Sequence, residues 1–432
     1  MIGNFKRFDM DRKPKRQSAF LTPVIWAASF PKTFKHKARI DKSKMPENIK
    51  PPYFLLCNHN AFMDFKVMTR AIFPHRASYV VAIDGFVGIE WVLRAIGGIC
   101  IRKFVKSVSL VKNMMYACKH YDVLTLFPEA RYSLCGTQSV LPNSIGKMIK
   151  KMNVPVVTFI MHGHHINSPF WHIKNRKVKP IQSEMTLLLT KEETQELPVD
   201  EINKRLADAF VYDDYAWQKE NNIRVKYKKR AEGLHKVLYQ CPACKVEYKM
   251  SSSGIYLKCN ACGKIWEMTE LGELNALSSE TEFSHIPDWY EWERANVREE
   301  VESGTYAFKK TVRIESLPNS KGFIVFDKPG ELTHNMDGFT LTGEYEKELF
   351  SLTWTAPSLY SCHIEYNFKG RGQCVDLSTS SDTFYCYPDG DDFAVTKLAL
   401  ATEELYRHFV NQPNGTRRGA SPTAPNNSVC LH

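Results

Sequence analysis

Short apolar segments alternate with segments of helical periodicity between residues 51 and 165, and no other feature of the sequence limits the fold as strongly. The apolar segments have the length of strands and lie at residues 53–57, 78–83, 99–102, 123–127 and 154–160. The helical patterns lie between them, at residues 64–72, 88–95, 107–120 and 144–152. Such alternation is typical of a mixed, mostly parallel sheet with flanking helices. The sequence therefore predicts an α/β fold with its functional side chains at the ends of strands. After residue 165, it also predicts a strand at residues 171–173 and a helix over residues 200–217.

A histidine and a carboxylate follow the first of these strands. His59 lies two residues after Cys57, and Asp64 opens the next helical segment. Residues five apart do not share a helical face, so the two side chains can meet only if His59 lies in the turn and Asp64 in the helix. A histidine held by a carboxylate is a candidate general base with its orienting partner.

Three further blocks follow this pair in order. The first is a glycine turn and a short strand that ends at Arg102. The second is a strand that leads into Pro-Glu-Ala-Arg at residues 128–131, and the third is a strand that begins with Val-Pro at residues 154–155. Together with the Asn58-His59-(four residues)-Asp64 motif, these blocks resemble the glycerolipid acyltransferase family, whose type members acylate lysophosphatidic acid or glycerol 3-phosphate.

The resemblance implies a role for each residue of the motifs. His59 would take the proton from the hydroxyl of the acceptor, and Asp64 would fix the tautomer of its ring. No Ser or Cys nucleophile belongs to the motif, so the resemblance implies direct transfer from acyl-CoA or an acyl carrier protein. The substrate-binding positions of the family correspond to Asn58, Arg102, Lys103, Glu129 and Arg131.

The second block departs from the family pattern. The family has Gly-Thr between the glutamate and the arginine, whereas Ala130 alone separates Glu129 from Arg131. Arg131 is therefore one position early, which leaves open whether it takes the family's phosphate-binding role. The resemblance implies that the acceptor is a lysophospholipid or glycerol phosphate, and the altered block leaves a glycolipid or another alcohol as the alternative. Glu129 could hold an acceptor hydroxyl or support an arginine, and a buried salt bridge between Arg102 and Glu129 is the structural alternative.

Two Cys-x-x-Cys pairs predict a metal site. The two pairs lie on two turns joined by a predicted β-hairpin of residues 246–248 and 256–258. Four thiolates at this spacing suit one tetrahedral Zn²⁺ with no position left for water, so the zinc is predicted to be structural. Few basic residues accompany the cysteines, which favours a spacer or docking role over nucleic-acid binding. The predicted ligands are Cys241, Cys244, Cys259 and Cys262. By contrast, His162, His164 and His165 lack a nearby Asp or Cys and are predicted to line the cleft as loop histidines.

Charge is distributed unevenly along the chain. Residues 1–279 have a formal charge of +20 and residues 280–432 a charge of −9. A basic catalytic half suits anionic substrates and an anionic membrane surface, and charge alone would also allow nucleic acid. An alternative function is therefore a zinc-ribbon scaffold that binds nucleic acid or protein through a non-catalytic acyltransferase-like domain.

The first 50 residues combine 13 Lys/Arg and 4 Asp/Glu with an apolar patch at residues 18–30. The patch is shorter than the roughly 18 to 20 apolar residues that span a bilayer, and it contains Pro23. It suits an interfacial helix on an anionic membrane, or alternatively a helix packed on the core beneath a solvated surface. Because no secretory signal is recognisable, we expect a cytoplasmic protein attached to the inner face of the membrane, with its other cysteines reduced.

The sequence thus predicts five segments. The region after the ribbon contains strands of period two and a final helix, which indicates a small antiparallel barrel or sandwich, with a pleckstrin-homology-like arrangement possible. The segments are a basic amphipathic segment at 1–50, an acyltransferase-like α/β domain at 51–230, a zinc ribbon at 236–270, a β-rich domain closed by a helix at 285–410, and a disordered tail at 411–432.

Overall fold

The structure is a computed structural model that describes residues 2–410. The predicted disordered tail at 411–432 lies outside the described residues. Within residues 2–410, no helix is both long enough and apolar enough to cross a membrane.

The first part of the chain forms a seven-stranded sheet in the order β1-β7-β6-β2-β5-β3-β4. All neighbouring strands are parallel except β6 and β7, which are antiparallel. The strands are β1 (Arg39–Lys44), β2 (Tyr53–Cys57), β3 (Ala77–Ala82), β4 (Gly98–Ile101), β5 (Val123–Leu126), β6 (Val156–His162) and β7 (Gln182–Leu189). The helices are α1 (Thr22–Lys35), α2 (Met63–Ala71), α3 (Glu90–Ala95), α4 (Val108–His120), α5 (Ile145–Met152), α6 (His164–Asn167), α7 (Lys191–Glu196), α8 (Val199–Ala209) and α9 (Asp214–Glu220).

The central strand β2 is buried along its whole length. Leu55 packs in a core with residues of α2, such as Val67, whereas Leu56 packs on the other face with residues of α4 and α5, such as Met114 and Ile149. Burial on both faces is what a parallel strand between two helix layers requires. The predicted mixed, mostly parallel sheet with flanking helices is therefore confirmed.

Some local predictions were wrong. The helix expected over residues 200–217 is two helices, because the side chain of Asp213 accepts hydrogen bonds from the backbone N–H groups of Tyr215 and Ala216 and begins a new helix, α9. The strand expected at residues 171–173 is absent. The edge strand β1 had not been predicted, since it is mostly exposed and lacks an apolar pattern.

The cysteine-rich segment forms an antiparallel four-stranded sheet in the order β11-β10-β9-β8. The hairpin between the two cysteine pairs uses residues 250–253 as its first strand, not residues 246–248 as expected. The strands are β8 (Met250–Ser253), β9 (Tyr256–Cys259), β10 (Ile265–Met268) and β11 (Leu274–Ala276).

The last part of the described chain, which we call the β domain, is an antiparallel sheet with one helix before it and one helix after it in the chain. Its strands follow the order β16-β15-β14-β12-β19-β18-β17, and β13 also pairs with β12. This confirms the expected antiparallel β unit closed by a helix. Its elements are α10 (Ile286–Glu302), β12 (Phe308–Ser316), β13 (Ile324–Val325), β14 (Gly330–Asn335), β15 (Gly338–Tyr345), β16 (Glu348–Thr355), β17 (His363–Glu365), β18 (Cys374–Ser378), β19 (Thr383–Pro388) and α11 (Val395–Val410).

The segment before α1 lies extended against both the α/β sheet and the β domain. The backbone N–H of Phe8 donates to the carbonyl oxygen of Pro318 at 2.9 Å, and Asn113 of α4 donates to the carbonyl oxygen of Met10 at 2.9 Å. The Phe8 ring is buried beside Phe86. These first residues therefore join two parts of the fold.

Candidate active site

His59 and Asp64 meet at the carboxyl end of β2. His59 lies in the turn after the strand, and Asp64 lies in the first turn of α2. The Nδ1 atom of His59 is 3.0 Å from Oδ2 of Asp64. The turn therefore brings the two side chains together in the way that their spacing allows.

Asp64 is fully buried and accepts four hydrogen bonds. Besides His59, its Oδ2 atom accepts from the backbone N–H groups of Asn60 at 2.6 Å and Ala61 at 2.9 Å. Its Oδ1 atom lies 2.7 Å from Nδ1 of His164. Burial alone would raise the pKa of Asp64, but the hydrogen bonds from His164 and His59 outweigh it and lower the pKa to about 2. Asp64 is thus a carboxylate at neutral pH, with its orientation fixed.

The ring of His59 lies among aromatic side chains, with 23% of the side chain exposed. Its centroid is 4.1 Å from that of Phe127, on which it stacks, and 4.3 Å from that of Tyr132. Burial lowers the pKa of His59, and the bond to Asp64 only partly offsets this effect. Because Nδ1 donates to an ionised carboxylate, the neutral ring keeps its lone pair on Nε2. Nε2 has no hydrogen-bond partner among the described residues, so the arrangement can accept a proton there.

Glu129 and Asn58, both expected to bind substrate, contact backbone groups instead. Glu129 accepts from the N–H of His59 at 2.8 Å and from the N–H of Ser139 at 2.7 Å. Burial raises the pKa of Glu129 to about 7 in spite of these bonds. The side chain of Asn58 bonds both the N–H and the carbonyl group of Met161 in the neighbouring strand β6. Both residues hold the His59 turn in place.

Arg102 is buried against the β domain and is not placed to bind a phosphate group. All four of its hydrogen bonds, between 2.8 and 3.0 Å long, go to that domain. Its partners are the carbonyl oxygens of Leu317, Pro318 and Ser381 and the hydroxyl of Thr383. This differs from the expected substrate contact, because the β domain packs on the loop that follows β4. The salt bridge to Glu129, the structural alternative, is also absent from the described contacts of Arg102.

Arg131 is likewise occupied by the β domain. It forms a buried ion pair of 2.5 Å with Glu403 of α11, which also pairs with Arg294 of α10 at 2.7 Å. Arg131, which lies one position earlier than the arginine of the family pattern, therefore pairs with Glu403 and not with the expected phosphate. Lys103 is a cation that remains near His59. It is half-exposed and has no ion pair within residues 2–410. Burial lowers the pKa of His59 most, and the charge of Lys103 lowers it further.

The contact of His164 with Asp64 and the role of Asp214 were not predicted from the sequence. His164 is fully buried behind Asp64 and does not line a cleft as expected. Asp214 accepts from the backbone N–H groups of Gly163 and His165, each at 3.0 Å, and so fixes the loop that contains His164. The only signal in the sequence was a run of histidines after β6, the strand that pairs with β2.

The four cysteine sulfurs of the ribbon form a group in which all lie within 4.8 Å of one another. Sγ of Cys241 is 3.8 Å from Sγ of Cys262, and Sγ of Cys244 is 3.7 Å from Sγ of Cys259. Four sulfurs placed about 2.3 Å from a tetrahedral Zn²⁺ are about 3.8 Å apart. The residues present therefore fit a metal ion of this kind.

Comparison with known proteins agrees with the first part of the fold. Residues 39–162 match the family model described as Acyltransferase, a range that includes His59, Asp64 and both arginines. No match to the chain is found among curated proteins. Among solved structures, the chain is similar to the 1-acyl-sn-glycerophosphate (LPA) acyltransferase PlsC from Thermotoga maritima. That likeness has 14% identity and a TM-score of 0.36, and covers 44% of this chain and 77% of that one, which is too low to support a conclusion. Residues 39–162 of the chain are therefore similar to the acyltransferase family.

Proposed function

We propose that the protein is an O-acyltransferase that moves a fatty acyl group from an acyl thioester to a hydroxyl of a lysophospholipid or glycerol phosphate. The observation that supports this most is the hydrogen bond between Nδ1 of His59 and the ionised Asp64, which leaves Nε2 as a base. The acyl donor is acyl-CoA or an acyl carrier protein.

In the proposed reaction, Nε2 of His59 removes the proton from the acceptor hydroxyl as its oxygen attacks the thioester carbonyl. The carbon–sulfur bond then breaks, and the imidazolium returns the proton to the leaving thiolate. Asp64 stabilises the imidazolium while it exists. General-base catalysis of this kind contributes ~10²–10⁴-fold to the rate.

Direct transfer is favoured because nearby thiols and hydroxyls are unsuited to act as nucleophiles. Cys57 is fully buried, and burial raises the pKa of its thiol well above the ordinary value. Burial likewise raises the pKa of Cys135 to about 12. The hydroxyl of Ser133 donates to the carbonyl oxygen of Thr137 at 2.6 Å. A reactive thiol needs a lowered pKa and access to solvent, and the thiols of Cys57 and Cys135 have neither.

Lys103 is the residue that we propose binds the phosphate of the acceptor. It is the cation nearest in sequence to Arg102, and its charge acts on both His59 and Glu365. An ammonium group binds phosphate as a point charge and needs no fixed bidentate geometry.

We further propose that α1 attaches the protein to the inner, cytoplasmic face of an anionic membrane. Phe20, Val24 and Phe34 of this region are 92%, 60% and 59% exposed, which is unusual for large apolar side chains. Lysine side chains lie in the last turn of α1 and on α2, as an anionic surface would require. The lysines are Lys32 and Lys35 of α1 and Lys66 of α2.

The same surface includes the turn that contains His59. Phe62, between His59 and Asp64, is 69% exposed, and the ammonium group of Lys66 lies 5.5 Å from the centre of its ring. Burial and the charge of Lys32 lower the pKa of Lys66 to about 8, so α1 and α2 adjoin there. A membrane bound to this face would deliver a lipid acceptor next to His59.

We also propose that the four cysteines of the ribbon bind one structural zinc ion. With every tetrahedral position filled by a thiolate, the metal would contribute to folding and not to acyl transfer. A site of this kind is worth on the order of 10 kcal/mol to the module that it folds.

The function is tested with purified protein, radiolabelled oleoyl-CoA and a panel of lysophospholipids and glycerol 3-phosphate, with products identified by mass spectrometry. We expect His59→Ala to lower the rate at least ~10²-fold with an unchanged melting temperature. His75→Ala is the matched control, because His75 is exposed just beyond the end of α2. Equal activity of His59→Ala and the wild-type protein would rule out the proposed role of His59.

A further inference from the structure

Arg102 and Phe104 dock the loop that contains Lys103 onto the β domain. Arg102 forms its four hydrogen bonds with that domain, and the ring of Phe104 lies 5.2 Å from the ring of Tyr360. Tyr360 is only three residues before β17. Lys103 is therefore held at the junction between the acyltransferase sheet and the first residues of this strand.

A series of aromatic contacts leads to the same strand from His59. The ring centroid of Tyr132 is 4.3 Å from that of His59 and 5.4 Å from that of Phe170. The centroid of Phe170 is in turn 6.4 Å from that of His363, the first residue of β17. The proposed base and His363 thus border one aromatic surface, although they belong to different parts of the chain.

His363 is held in one orientation by a carboxylate, as His59 is. Its Nδ1 atom lies 2.9 Å from Oδ2 of Asp376, which is directly opposite on β18. Its Nε2 atom is 3.9 Å from Oε1 of Glu365, too far for a hydrogen bond. The Oδ1 atom of Asp376 is buried and has no hydrogen-bond partner among the described residues.

This group of polar side chains is hard to explain by packing alone. The side chains of His363, Glu365 and Asp376 are 4%, 18% and 5% exposed. Burial of ionisable groups costs free energy unless they are paired, and Glu365 has no partner within hydrogen-bond distance among the described residues. Burial raises the pKa of Glu365, and the charges of His363 and Lys103 act against this. Incompletely paired polar groups near a proposed base are typical of a substrate site.

We propose that His363 and Glu365 of the β domain are specificity-determining residues that bind the head group of the acyl acceptor opposite Lys103. The inference rests on the proposed acyl transfer and names the part of the chain that recognises the acceptor. Glycerol 3-phosphate suits this site, since Lys103 can bind its phosphate and Glu365 can accept a hydrogen bond from the hydroxyl that is not acylated. Nε2 of His363 supplies a second polar contact, fixed by Asp376.

The experiment compares His363→Gln and Glu365→Gln with the wild-type full-length protein, with glycerol 3-phosphate and oleoyl-CoA as substrates. Loss of one hydrogen bond to a charged group should raise KM for glycerol 3-phosphate about tenfold. The KM for oleoyl-CoA should stay within about twofold, because the proposal assigns both residues to the acceptor alone. Glu348→Gln is the matched control, since Glu348 is an exposed glutamate on β16, at the opposite edge of the same sheet.

Each outcome separates this inference from the function on which it rests. An unchanged acceptor KM in both variants, or an equal rise of KM for donor and acceptor, would overturn the inference while the acyl transfer stands. No transfer by the wild-type protein to any acceptor of the panel would instead refute the proposed function, and the inference with it. Because His363 is nearly buried, Glu365→Gln provides the decisive measurement if His363→Gln has a lower melting temperature.

Discussion

His164 lies behind Asp64, with its Nδ1 atom 2.7 Å from Asp64 Oδ1, while His59 is bonded to the other carboxylate oxygen. A carboxylate only accepts hydrogen bonds, so His164 donates. The buried Nε2 atom of His164 has no partner among the described residues. The ring therefore acts on the site through Asp64, and His164 is a positioning residue in the proposed reaction.

Replacement of His164 should slow acyl transfer without removing the base. We expect His164→Ala to lower kcat about 10- to 100-fold, and His164→Asn, whose amide can donate to Asp64, to recover part of the loss. Without this donor, Asp64 attracts the proton of His59 more strongly, so the pKa of His59 should rise. The measurement is kcat as a function of pH. A variant that loses stability but keeps the pH profile would indicate a purely structural role.

The pH dependence of the reaction should follow the lowered pKa of His59. Burial favours the neutral ring, which is the form that accepts a proton, so His59 remains a base at pH values below the ordinary pKa of 6.5. We expect kcat/KM to be constant above about pH 6.5 and to fall on acidification below it, with a single proton. Steady-state rates between pH 4.5 and 8 test this, with circular dichroism to confirm folding. A midpoint well above 6.5 would contradict the expected environment of His59.

Features that depend on neighbouring residues in the sequence were predicted, and features that depend on contacts between distant parts of the chain were not. The buried strands β2 and β5 were predicted because each is encoded by a short run of apolar residues. The cysteine cluster was predicted because the spacing of its four cysteines is also a local feature of the sequence. The second histidine bonded to Asp64 was not predicted, because His164 is 100 residues away from it along the chain. The positions of Arg102 and Arg131 depend on packing of the β domain, which no local motif encodes. Sequence motifs therefore indicated which residues surround the site but not which surface they contact.

Arg102 should matter for stability more than for acceptor binding. Arg102→Ala would remove a donor from three carbonyl oxygens and one hydroxyl. Pro318 would still accept from the N–H of Phe8, and the hydroxyl of Thr383 would still bond that of Ser378. A buried group left unpaired costs about 1–3 kcal/mol, so loss of the donor to the other two carbonyl oxygens should lower the free energy of unfolding by at least ~2 kcal/mol. Urea denaturation gives this value, with the exposed Arg39→Ala as control. If the acceptor KM rose while stability stayed unchanged, Arg102 would bind substrate after all.

Removal of metal from the ribbon should weaken the β domain as well. Trp266 of β10 packs on Trp289 of α10, with ring centroids 5.1 Å apart, and both belong to the core that continues into the β domain. We expect about one zinc ion per chain by elemental analysis, and a lower melting temperature after Cys259→Ser or treatment with a strong chelator. Cys118→Ser is the control, because Cys118 is a buried thiol remote from the cluster in the sequence. A chain purified without bound metal, yet equally stable, would exclude the structural zinc.

Membrane attachment should depend on the aromatic side chains around α1. Fully burying one large apolar side chain contributes about 1.5–3 kcal/mol, so Phe20→Ser with Phe34→Ser should weaken binding to phosphatidylglycerol vesicles at least tenfold. Leu349→Ser is a matched control, because Leu349 is 84% exposed on the acidic β domain. Sedimentation at low salt measures binding, and transfer to a short-chain, water-soluble lysophosphatidic acid should be unaffected in both proteins. An equal loss of binding in Leu349→Ser would mean that the contact is nonspecific. A wild-type protein that stays in the supernatant would exclude the contact altogether.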